Sequence, residues 1–166
     1  MLKIKMLTVI IILIINKANC QSRVYDDKTE ILKSVIRMLQ KERAKFVIYP
    51  TTKKSSFSNF DFGGGGRGLD TISSRVSNKK EWVDFIKSID TASTTDYPLN
   101  IKNTSKIKNK QLIFAPILFS NKKDKALCVN KIYSLSSKTG QASAWYFEKE
   151  NSIWKLKDVH TFLLIN

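Results

Sequence analysis

The sequence predicts an α+β domain in which two N-terminal helices pack on a C-terminal antiparallel β-meander of about four strands, with a Gly-rich loop between the helices. Three observations lead there. Apolar residues recur at helical spacing in two early segments, the last third carries four apolar runs parted by short polar turns, and Phe62-Gly63-Gly64-Gly65-Gly66-Arg67-Gly68 separates the two helical patterns.

Before the first helix, Lys3 and Lys5 precede an apolar run from Met6 to Ile15, followed by the polar stretch Asn16-Lys17-Ala18-Asn19-Cys20. This is the layout of a secretory signal peptide over residues 1–20, and the run is about half the roughly 20 residues a membrane-spanning helix needs. Ala18 and Cys20 supply the small residues that signal peptidase requires before a cut at Gln21. The rival is lipidation of Cys20, which Lys17 and Asn19 fit poorly, because lipoprotein signals favour an aliphatic residue three before the cysteine and a small one just before it. The expectation is therefore an exported chain, periplasmic or extracellular, with a membrane-anchored lipoprotein as the alternative.

Residues 21–166 then form a single domain. Asp26 to about Lys45 reads as an amphipathic helix with Ile31, Leu32, Val35, Ile36 and Leu39 on one face, and Asp27 with Glu30 has the form of a capping box. Phe46-Val47-Ile48-Tyr49 reads as a short strand or extended exit ended by Pro50. Residues 51–77 read as a long flexible loop, since successive glycines are costly to order. A second helix opens at Asn78, with Glu81 three residues on and Trp82, Phe85, Ile86 and Ile89 as its buried stripe. Residues 90–110 are polar and read as a second flexible connection. The strands follow: Leu112 to Phe119, Ala126 to Ser134, Gln141 to Lys149 and Ile153 to Ile165. Turns this short make neighbours antiparallel, and the helical stripes are expected to cover one face of the sheet.

The net charge of +15 falls to +12 once Lys3, Lys5 and Lys17 leave with the signal, and such a charge favours polyanionic or acidic partners. Many of the lysines are scattered through the predicted loops, a pattern that also reads as general basic composition. If cleavage follows Cys20, Cys128 is the one cysteine left, so the fold rests on its hydrophobic core, and Cys128 itself reads as a small buried thiol. With His160 the single histidine, no metal site is expected, and no cofactor.

No catalytic residue emerges. Gly63-x-Gly65-x-x-Gly68 has dinucleotide-binding spacing but no strand before it or helix after it, and Leu69-Asp70 stands where a phosphate loop needs Lys-Ser/Thr. Arg67 remains a candidate anion contact on that loop. Asp158 and His160 fall on one side of a strand, but no Gly-x-Ser-x-Gly elbow accompanies them. Tyr133, Trp145, Tyr146 and Trp154 are candidates for a ligand-stacking surface, against the plainer reading as core aromatics beneath helices.

The ending Trp145-Tyr146-Phe147-Glu148-Lys149-Glu150-Asn151-Ser152-Ile153-Trp154-Lys155-Leu156 resembles the terminal hairpin of many small exported bacterial proteins of unknown function. Phe114 to Ser120 with Lys122 to Leu127 looks similar to the strand pair preceding it. The same hairpin recurs in nuclear transport factor 2-like, cystatin-like domains. The resemblance covers about residues 112–158, implies helices across a curved sheet, and carries over no functional residue. Three functional expectations follow: an exported non-enzymatic binding or accessory protein, a small ligand-pocket carrier or enzyme of cystatin-like shape, or a cationic effector or inhibitor that binds polyanions. The partner is an unidentified protein or polyanion, without a sequence signal for nucleic acid.

Overall fold

A computed structural model describes residues 27–41, 45–59, 76, 79–101, 109–134, 136 and 139–164. The predicted signal peptide with Cys20, and Arg67 with the glycine run, lie outside the described residues. The elements in order are helix α1 (residues 27–41), β1 (Val47–Ile48), a 3-10 helix (Lys54–Asn59), α2 (Lys80–Lys87), β2 (Lys110–Phe114), β3 (Leu118–Phe119), β4 (Lys125–Ser134), β5 (Gly140–Glu150) and β6 (Ile153–Leu164).

These elements overturn the predicted fold class. The described chain is mostly β: one six-stranded mixed sheet of order β1-β2-β4-β5-β6, with β3 paired to β4, in place of two helices on a four-strand meander. Among the described residues, only α1 precedes the sheet. α2 lies in the crossover between β1 and β2, which run parallel, Val47 opposite Gln111 and Ile48 opposite Leu112. Adjacent parallel strands need a long connection between them, and residues 49–109 supply it. The expected single strand from Leu112 to Phe119 is two. Ala115 N–H still donates to the Val129 carbonyl at 2.9 Å, but Pro116 has no N–H to give to a ladder and Ile117 N–H turns to the Tyr97 hydroxyl, so pairing with β4 breaks at Pro116 and resumes at Leu118.

The helices also fall on opposite faces of the sheet instead of sharing one. Side chains alternate along a strand, so β4 and β5 feed two cores. Ala126, Cys128, Trp145 and Phe147 join Leu112, Phe114 and Trp154 beneath Ile31, Leu32, Val35, Ile36 and Leu39 of α1. Leu127, Val129, Ala142, Ala144 and Tyr146 join Phe57, Val76 and the α2 stripe Trp82, Phe85 and Ile86. The Cys128 thiol is fully buried in the α1 core, where burial raises its pKa. It should resist an aromatic disulfide reagent in the native protein and react at the rate of global unfolding; prompt labelling of the folded chain would contradict this packing.

The ends of the connection are pinned to each other. Thr52 N–H donates to the Tyr97 carbonyl at 2.9 Å, the Thr52 hydroxyl accepts from Tyr97 N–H at 2.9 Å, and Leu99 N–H donates to the Pro50 carbonyl at 2.8 Å. Thr52, Ser56, Phe57 and Leu99 are buried, so parts of both predicted connecting stretches contribute to the interior. The turn joining β5 to β6 has positive φ at Asn151 (49°) and Ser152 (67°), the two-residue geometry whose twist matches an antiparallel hairpin.

Candidate binding surfaces

Three polar constellations stand out. The first is built on Lys125, which begins β4 and points to the α2 face because it is in phase with Leu127 and Val129. Its side chain is 8% exposed, and its Nζ lies 3.3 Å from Asp124, 3.5 Å from Glu81 of α2 and 3.9 Å from Glu148 of β5. A buried ammonium needs such company. The β3–β4 turn is arranged for it: the Ser120 hydroxyl donates to Asp124 Oδ1 at 2.7 Å and accepts from the N–H groups of Asp124 and Lys125 at 3.3 and 3.1 Å. Beside it lies a surface cleft of about 480 Å³, lined by residues that include Glu81, Asp84, Phe85, Ser88, Lys122 and Lys125. Chemically the cleft offers carboxylates and ammonium groups, of which Lys125 is already compensated by Glu81 and Asp124.

The Ser120 hydroxyl holds the Asp124 carboxyl below its ordinary pKa against the opposing effect of burial, with the Lys125 ammonium adding to the lowering. A depressed carboxyl contributes stability that is present above its unfolded pKa and is lost as pH falls through the folded one. Ser120→Ala should therefore move the Asp124 carboxyl titration upward and reduce the stability lost on acidification. A carbon-detected NMR titration reads this, and an unmoved Asp124 in the variant would contradict the turn geometry. At the hairpin, Lys155 and Lys157 bring Glu150 down to about 2 in the same direction.

The second constellation fastens α1. Asp27 Oδ1 pairs with Lys149 Nζ at 2.7 Å and accepts the Trp154 indole N–H at 2.9 Å, while Glu30 Oε1 accepts Trp154 backbone N–H at 3.3 Å. The two acids read in the sequence as a capping box thus reach across to the β5–β6 hairpin. At α2 the cap position is Lys79, with no side-chain cap, in place of the expected Asn78. The third is interior: the Trp145 indole N–H donates to Asn130 Oδ1 at 2.5 Å, and the buried Asn130 Nδ2 has no partner.

The aromatic candidates do not form one surface. Trp145 and Tyr146 are adjacent on β5 and so point to opposite faces, Trp145 into the α1 core and Tyr146 against Trp82 at 5.6 Å between ring centroids. Trp154 sits with Trp145 on the α1 side but is held by Asp27; the three are 4%, 1% and 6% exposed. Tyr133, only partly buried, packs at the margin of the α2 core. Sequence reasoning missed Lys125, although a lysine opening an apolar strand in phase with its inward residues is the signal that would have found it.

What the described surface does present is α1's outer side, where Lys33, Arg37 and Lys41 are exposed at four-residue intervals. No group of histidine, cysteine or carboxylate side chains suited to a metal occurs among the described residues, and none of their helices is long and apolar enough to cross a membrane. No protein-family model, curated protein or solved structure matches the chain.

Proposed function

We propose that the chain is an exported binding or accessory domain of the bacterial envelope or exterior, acting through its outer surface without catalysing a reaction. The observation that carries this reading is the filling of both sheet faces. Large side chains such as Trp82, Phe114, Tyr146 and Phe147 occupy the space under each helix where a pocket-type carrier would hold its ligand. The signal-like residues 1–20 and the net charge of +15 support export and an acidic partner.

A second reading, a small-ligand carrier or enzyme of cystatin-like shape, draws on the cleft beside Lys125. Its volume of about 480 Å³ suits a small molecule, but Lys125, Glu81 and Asp124 of its lining are already paired with one another. The test of the exported reading is the intact mass of the protein recovered from its native host. A chain beginning at Gln21 is expected, and one beginning at a diacylated or triacylated Cys20 would keep export but make the protein a tethered lipoprotein. A chain retaining Met1 to Cys20 would overturn it.

A further inference from the structure

We propose that the outward face of α1 is the contact surface and that its partner is a linear acidic polysaccharide, an inference that rests on the exported reading above. With Ile31, Leu32, Val35, Ile36 and Leu39 buried, the solvent side of α1 carries Glu30, Lys33, Arg37, Gln40 and Lys41. Four residues advance a helix by about 6 Å, so Lys33, Arg37 and Lys41 form a slowly winding row of cations about 12 Å long. Like charges at this spacing destabilise a helix, and none of the three has a carboxylate partner among the described residues. The two described acids of α1 make contacts elsewhere. Glu30 accepts from the Trp154 backbone, and Asp27 is held by Lys149 and the Trp154 indole.

On the opposite side of the molecule the cations are interspersed with acids. α2 sets Glu81 and Asp84 among Lys80 and Lys87, and the lysines at 125, 155 and 157 lie against Asp124, Glu148 and Glu150. Lys79 and Lys122 are exposed on that side as well, so what sets α1 apart is that its three cations form one row with no carboxylate between them.

The chemistry of that face selects the polyanion. It exposes no aromatic ring on which unpaired bases would stack, and no apolar side chain to enter a bilayer. A single narrow row fits a chain of regularly spaced carboxylates or sulfates. An exported protein meets such chains as polysaccharides.

The test titrates the full chain with dextran sulfate at several salt concentrations. It compares Lys33→Gln/Arg37→Gln/Lys41→Gln with Lys79→Gln/Lys80→Gln/Lys87→Gln, which removes the same charge from the other side. Glutamine is a good helix former at exposed positions, and thermal melts confirm that both variants fold. The α1 variant should lose about tenfold or more in affinity and show a shallower salt dependence, while the α2 variant changes by less than about twofold. Equal losses in the two variants would overturn the proposal, as would binding that ignores salt. Tighter binding at equal salt to duplex DNA or to phosphatidylglycerol vesicles would do so too. A retained signal segment in the intact mass would remove the exported reading while leaving this comparison to stand or fall by itself.

Discussion

Replacing Trp82 by alanine should lower folding stability by about 3–5 kcal/mol, the range for deleting a fully buried indole. Trp82 is 0% exposed, approaches Tyr146 edge-on at 5.6 Å and Phe85 at 5.9 Å, and is the widest side chain between α2 and the sheet. α2 has only eight residues and no side-chain cap, so little besides this stripe holds it in place. Trp82→Phe should cost distinctly less, because the buried indole Nε1 has no hydrogen-bond partner and phenylalanine gives up no bond there. Denaturant unfolding of the three proteins measures the series. An alanine variant within about 1 kcal/mol of the parent would contradict the packing of α2 on this face.

The second large effect is expected at Asp27. Asp27→Ala removes the partner of Lys149 and of the Trp154 indole together, at a site where the Asp27 and Lys149 side chains are 14% and 26% exposed. Leaving a partly buried cation and an indole N–H unpaired should cost about 2–4 kcal/mol. Asp27→Asn retains an oxygen for the indole and loses only the ion pair, so it should recover about half of that loss. Hydrogen exchange locates the damage: amides of residues 27–41 should lose protection before those of β4 and β5. If the strands loosen first, the clamp does not hold α1.

The stripe of α1 was legible because five apolar residues at helical spacing have one physical solution. The alternation of β5 was equally plain, with Trp145 and Phe147 on one side and Ala144 and Tyr146 on the other. Direction and side were not legible. Val47 and Ile48 are too few to reveal whether their neighbour runs parallel, and an amphipathic stripe shows that a helix is covered without saying by which face of which sheet. That is why two helices expected on one face lie on two. The break at Pro116 has its signal in the sequence, a missing N–H inside an apolar run.

The candidate site was less legible than the fold. Adjacent aromatics such as Trp145 and Tyr146 cannot share a strand face, a constraint already present in their numbering. The clamp of Asp27 by Lys149 and Trp154 joins residues 122 and 127 positions apart, which no local pattern encodes. The basic row of α1 was visible only as polar residues away from the apolar stripe. Its lack of carboxylate partners among the described residues depends on where Asp27 and Glu30 reach, which no local pattern encodes.

Lysine acetylation footprinting of the full chain, alone and saturated with dextran sulfate, tests the surface-binding account most directly. The account predicts that Lys33 and Lys41 become protected while Lys79, Lys80 and Lys87 react as in the free protein. Protection shared evenly among all five, or confined to the three on the α2 side, would contradict it.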